Sequence, residues 1–121
     1  MIKCGIDLLR TSRLGDVNPA IRARFIRRVF TEAEIAQAQD DNDTLSGIFA
    51  AKEAVSKTLG TGIGKVAWQD IEILHAPSGE PGVTLHGVAL EVAQAKGLAE
   101  WAVSITHERG MAAAVAVAQS A

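Results

Sequence analysis

The apolar residues of this chain repeat with two different periods in separate stretches, and the order of those stretches restricts the fold more than any other feature. "IKCGIDLL" (2–9) reads as a buried first strand, with Asp7 near its C-terminal end. From Pro19 to Phe30 the spacing changes: Ile21, Phe25 and Val29 recur every four positions, as do Ile26 and Phe30, which predicts a helix. "TEAE" (31–34) has the form of a capping box and opens another helix that runs to about Gln39. After the polar break "DDNDTLSG" (40–47), a helix is predicted from about Thr44 to Leu59, stopped by Gly60. "AWQDIEILHA" (67–76) and "PGVTLHG" (81–87) follow as strands joined by a turn at "PSGEPG", and "VALEVAQAKG" (88–97) is a short helix ended by Gly97. "WAVSITH" (101–107) and "MAAAVAVAQ" (111–119) close the chain as an antiparallel hairpin around "ERG". One strand, then helices, then mostly strands is an α+β order, an antiparallel sheet packed on a long helix, in a single domain over residues 1–121. The regular alternation of a doubly wound fold is absent.

With 121 residues, 48% of them hydrophobic, the chain can bury a modest core. No apolar run is long enough to span a bilayer, and "MIKCGIDLLR" lacks the features of a signal peptide, so a cytoplasmic location without membrane association is expected. The single cysteine, Cys4, suits a reducing compartment and is expected to be a packed thiol. The formal net charge of −2 hides an asymmetry. Residues 1–30 hold seven bases against two acids, while the remaining 91 residues hold five against twelve. A basic segment of that kind suits an anionic partner. Nucleic acid fits poorly, because the chain is acidic overall, has no tyrosine and offers few aromatics for stacking on bases.

The chemistry concentrates in "FAAKEAVSKTLGTGIG" (49–64). Glu53 and Lys57 lie one helical turn apart on one face, with Lys52 and Ser56 beside them. By itself that spacing describes a solvated ion pair that stabilises a helix by about 0.3–0.5 kcal/mol. "GTGIG" follows a helix, whereas a dinucleotide fingerprint follows a strand, and Lys65 is followed by Val66, so a P-loop is excluded as well. What remains is a glycine loop whose backbone can approach an anion closely. The acids of 40–43 lack the glycine and distal glutamate of an EF-hand and read better as helix caps. Ser104 and His107 sit three apart on a strand and point to opposite faces, which argues against a nucleophile–base pair. His75, His86 and His107 lie on separate elements without zinc-like spacing.

Taken in order, "GID" at 5–7 with Arg13 six residues on, "RVFTEAE" at 28–34, "FAAKEAVSKTLGTGIG" at 49–64, "WQDIEI" at 68–73, "SGEP" at 78–81 and "SITH" at 104–107 resemble the holo-acyl-carrier-protein synthase family, the small 4'-phosphopantetheinyl transferases. The resemblance runs nearly end to end. It implies the 4'-phosphopantetheinyl transferase fold and an enzyme that moves the phosphopantetheine arm of coenzyme A to a serine of an apo acyl carrier protein, releasing adenosine 3',5'-bisphosphate. It implies Mg2+ held by Asp7 and Glu53, and catalytic roles for Glu53 and Lys57, with Lys57 on the transferring phosphate. By the same resemblance Gly60, Gly62, Gly64, Pro81 and His107 join Lys57 in binding coenzyme A, Arg13 docks the carrier, and the assembly is a homotrimer. Arg24 and Arg28, which share a helix face in the basic segment, are weaker docking candidates.

The chemistry is consistent with that assignment. Magnesium prefers hard oxygens and keeps waters, so one or two carboxylates plus substrate phosphates form its expected ligand set. Acyl carrier proteins are acidic, which suits the basic N-terminal segment. The attacking hydroxyl belongs to the carrier, so the chain needs no nucleophile; a water held by Glu53 is the expected base. Ile48, where the family often has arginine, and Glu80, where it usually has lysine, remove positive charge near the coenzyme site. A non-catalytic module of the same fold is the alternative, but a binder has no need of the Asp7–Glu53 pair. The sequence leaves open whether the carrier serves fatty-acid or polyketide synthesis.

Overall fold

The computed structural model describes Met1–Ala121. In chain order it contains β1 (Ile2–Arg10), α1 (Ser12–Gly15), α2 (Pro19–Val29), α3 (Glu32–Ala38) and α4 (Asn42–Leu59). A 3-10 turn (Trp68–Asp70), β2 (Ile71–His75), β3 (Pro81–Leu85), α5 (Gly87–Ala95), β4 (Glu100–Glu108) and β5 (Met111–Gln119) complete it. The architecture is α+β, as the order of periodicities predicts. The strands form two antiparallel sheets, one of three strands in the order β1-β5-β4 and one pairing β2 with β3.

The long helix α4 lies across the inner face of the three-stranded sheet, and small side chains make that approach possible. Ala112, Ala114, Ala116 and Ala118 of the central strand all turn inward and are buried, opposite Ala50, Ala51 and Ala54 of the helix. On β1 the helix comes closest at Gly5, where a Cβ would stand 2.2 Å from the carbonyl oxygen of Ala54. No side chain fits there, so this contact alone requires glycine. The β4–β5 hairpin turns through Arg109 and Gly110, both with positive φ (50° and 74°), the conformation of a two-residue primed turn matched to strand twist.

Local signals set the helix ends. Asn18 caps α2 through Ala20, and Pro19 takes its first position. Thr31 and Glu34 form the expected capping box on α3. Asp41 caps α4 by accepting from both the backbone and the hydroxyl of Thr44 (2.9 and 2.7 Å), so the helix begins at Asn42, two residues before the expected start. The strand expected over 67–76 begins only at Ile71. Its first part is the 3-10 turn, because the Asp70 carboxylate folds back to accept from the Ala67 amide at 3.3 Å.

Two expectations about burial are corrected. The first strand is not buried throughout: only Gly5 and Leu9 are buried, Asp7 is partly covered, and Ile2, Ile6 and Leu8 are 69, 66 and 62% exposed. Cys4 is exposed as well, not packed. The cause is the period of two along a strand: odd positions meet α4, while even positions face a side of the sheet that no other layer of this chain covers.

An ion pair is built into the core. Lys52 and Glu34 are fully buried and paired at 2.8 Å. The Lys52 ammonium also donates to the carbonyls of Trp68 (3.0 Å) and Ile71 (2.5 Å), while Glu34 accepts from the amides of Thr31 and Ile73. The pair thereby joins α3, α4, the 3-10 turn and β2. Lys52 and Glu53, adjacent in sequence, point in different directions, one into this network and the other to the site below.

Candidate active site

Asp7 projects from the inner face of β1 toward the C-terminal half of α4. Its carboxylate lies 3.3 Å from the ammonium of Lys57, which also donates to the Ile6 carbonyl at 3.0 Å. Lys57 therefore pairs across the fold with Asp7, and the ion pair with Glu53 that the helical spacing suggests does not form. Glu53, one turn earlier and about 6 Å along the axis, is half-buried. Burial, and next the negative charge of Asp7, push its carboxyl pKa up, against the opposing pull of Lys57 and Arg13. Two carboxylates thus face one another at the edge of the sheet with a single amine beside them.

That donor set suits a hard divalent cation. Asp7 and Glu53 offer oxygen only, a cation between them would relieve their repulsion, and two protein ligands leave positions for water and phosphate. No group of three or more His, Cys, Asp and Glu side chains is gathered anywhere in the chain.

The glycine loop begins at the C-terminus of α4, beside Lys57. Gly60, Gly62 and Gly64 all have positive φ (81, 64 and 130°), conformations that favour glycine. Their amides, however, are committed: Gly60 donates to Lys57, Thr61 and Gly62 donate to Ser56, and Gly64 donates to Val66. The loop terminates the helix with its own hydrogen bonds, so its glycine amides do not form a ready-made anion cradle. Positive charge beside it comes from Lys57 and from Lys96 at the end of α5, whose ammonium donates to the Leu59 carbonyl. Lys96 was not singled out from the sequence, since its partner lies 37 residues away.

The other expected coenzyme contacts lie apart from this centre in one chain. His107 sits on β4, separated from β1 by the central strand, about 9–10 Å away across the sheet. Its Nε2 donates to the carbonyl of Asp43 at the start of α4 (2.6 Å). Pro81 opens β3 and, with Trp101, lines a groove of about 480 Å³ between the two sheets.

Of the three arginines expected to dock a carrier, Arg24 and Arg28 are exposed on α2, and Arg28 borders a groove shared with Gly64 and Trp68. Arg13 is placed differently. It lies over the ring of Phe49, 5.8 Å from the centroid, and its charge reaches Glu53. Arg13 and Glu53, on separate helices, are brought together because α1 folds back over α4. Phe49, missed as a site residue, stands one turn before Glu53 and could have been found by extending that helical face backward.

A carboxylate pair beside a lysine, on this α+β fold, is a donor set suited to a transferase that acts on a phosphorylated substrate. The model of the 4'-phosphopantetheinyl transferase superfamily matches residues 3–116. The chain is 40% identical to the holo-[acyl-carrier-protein] synthase of Natranaerobius thermophilus, covering 97% of this chain and 96% of the relative. It is 42% identical to that of Moorella thermoacetica over 99% and 95%. The solved structure of Helicobacter pylori holo-[acyl-carrier-protein] synthase in complex with coenzyme A is 32% identical, with a TM-score of 0.86, over 98% of this chain and 100% of that one. The chain belongs to the holo-acyl-carrier-protein synthase family of 4'-phosphopantetheinyl transferases.

Proposed function

We propose that this chain, acting as one domain, transfers the 4'-phosphopantetheine group of coenzyme A to a serine hydroxyl of an apo acyl carrier protein. The observation that carries the reading is the Asp7–Glu53 carboxylate pair beside Lys57 in a chain of this family. The serine oxygen attacks the phosphorus that bears pantetheine, the bond from that phosphorus to the bridging pyrophosphate oxygen breaks, and adenosine 3',5'-bisphosphate leaves. Such a transfer depends on positioning and on stabilising the charge that develops on the leaving oxygen. Lys57 neutralises a phosphate oxygen as a point charge. Asp7 and Glu53 hold Mg2+, which when bound supplies further neutralisation. Glu53 also orients the water that accepts the serine proton.

The site is completed by a second copy of the chain in a homotrimer. Two features support this: Ile2, Ile6, Leu8, Val115 and Val117 leave an apolar face on the three-stranded sheet, and Pro81 and His107 lie away from Lys57 within one chain. No helix is long and apolar enough to cross a membrane, and a cytoplasmic location suits the reaction.

Mass spectrometry tests the transfer. Incubation with coenzyme A, magnesium and an apo carrier should add the mass of one phosphopantetheine arm to the carrier. A carrier left unmodified, with coenzyme A bound, would mean a binding module instead.

A further inference from the structure

We infer that Phe49 and Trp68 are positioning residues for Arg13 and, through it, for the carrier protein; this rests on the docking role of Arg13 proposed above. Arg13 makes no hydrogen bond or ion pair within the chain, unlike Arg22, which is held by Asp40 and Asn42. What orients the Arg13 guanidinium is the face of the Phe49 ring, 5.8 Å from centroid to Cζ. A guanidinium over an aromatic face is attracted by the ring quadrupole.

The ring is itself immobilised from behind. Phe49 is 6% exposed and stacks on Trp68, with centroids 4.9 Å apart and planes at 28°, while Phe25 packs against it at 5.4 Å. Trp68 is fastened in turn: its carbonyl accepts from the buried ammonium of Lys52, and the neighbouring Gln69 side chain donates to the carbonyls of Arg27 and Phe30. A continuous chain of contacts therefore runs from the buried Glu34–Lys52 pair through Trp68 and Phe49 to an arginine on the surface. An arginine held in place beforehand loses less rotamer freedom on docking. Phe49 also stands one turn before Glu53, so the same platform sets Arg13 beside the reacting centre.

Steady-state kinetics with coenzyme A, magnesium and an apo carrier test this, with folding checked by circular dichroism. Phe49→Leu keeps an apolar side chain and removes the ring face. It should raise the KM for the carrier about three- to tenfold, the size of a cation–π contact, and leave that for coenzyme A unchanged. Phe49→Tyr should restore the wild-type value. In an Arg13→Ala background, Phe49→Leu should have no further effect on the carrier KM, a result that a general loss of stability would not produce. If Phe49→Leu does not fold, Trp68→Leu, whose ring is only partly buried, takes its place in the same cycle. An equal effect with and without Arg13, or no rise in carrier KM while Arg13→Ala raises it, overturns the inference. A carrier KM untouched by Arg13→Ala overturns the docking role itself.

Discussion

Lys57 and Asp7 meet 3.3 Å apart across the junction of helix and sheet, and Glu53, a turn away from the same lysine, is left facing the Asp7 charge. The lysine thus compensates one carboxylate of the pair, and Glu53 keeps a raised pKa despite the pull of Lys57 and Arg13.

The first prediction follows from that imbalance. Glu53 has its pKa raised in the folded chain, so its ionised form destabilises the metal-free protein above that pKa. The penalty begins to fade as pH falls through that pKa and is gone below the ordinary glutamate range. Glu53→Gln should therefore modestly raise the melting temperature of the metal-free protein at neutral pH while reducing transfer at least about 100-fold. Added magnesium should raise the wild-type melting temperature and leave that of Glu53→Gln unmoved. An active Glu53→Gln variant would remove Glu53 from the mechanism.

Proton and metal should also compete. Because burial and Asp7 keep the Glu53 proton on above the ordinary glutamate range, apparent magnesium affinity should begin to fall while pH is still above that range. Calorimetric titration of magnesium across mildly acid pH, compared with Glu53→Gln, measures the effect. A pH-independent affinity would contradict it.

The buried pair gives a stability prediction. Lys52→Met leaves the Glu34 carboxyl without its partner in the core, which should cost about 3–5 kcal/mol. Replacing both partners, Lys52→Met with Glu34→Leu, should recover part of that loss, since two apolar groups need no desolvation. Urea midpoints of the wild type, of Lys52→Met and Glu34→Leu singly and of the double variant test the coupling. Additive single effects would show that the two charges do not depend on each other.

Acid should weaken the contact between α3 and β2. The Glu72 carboxyl is lowered from 4.5, chiefly by the Thr31 hydroxyl at 2.7 Å and further by His86. A depressed carboxyl pKa contributes stability that is complete above its unfolded value and lost as pH falls through the folded one. Glu72→Gln should therefore be less stable than wild type at neutral pH, with the gap closing in strong acid. A gap that stays constant with pH would assign the effect to packing.

The exposed sheet face predicts an assembly. Ile6→Glu places a charge in the middle of that apolar face without touching the core. Light scattering should find a trimer for the wild type and smaller species for the variant, with transfer activity falling in parallel. A wild-type monomer active at low concentration would refute the shared site.

What the sequence determined by itself was local. The capping box at Thr31–Glu34, the stop at Gly60 and the hairpin around Arg109–Gly110 depend on residues within one turn of each other, so their side-chain chemistry declares them. The carboxylates and the lysine could be named only through the resemblance of their motifs to the family. Only the tertiary structure decided which neighbours they have. Lys52 and Glu53 are adjacent, yet a rotation of about 100° along the helix sends one into a buried pair with Glu34 and the other toward Asp7, 46 residues earlier in the chain. Cys4 reads as apolar and packed until the sheet shows that its side has no covering layer. Arg13 reads as a free surface charge until α1 sets it on Phe49. In each case the deciding contact joins residues far apart in sequence, and such a contact is created by the packing of whole elements, about which no local pattern carries information.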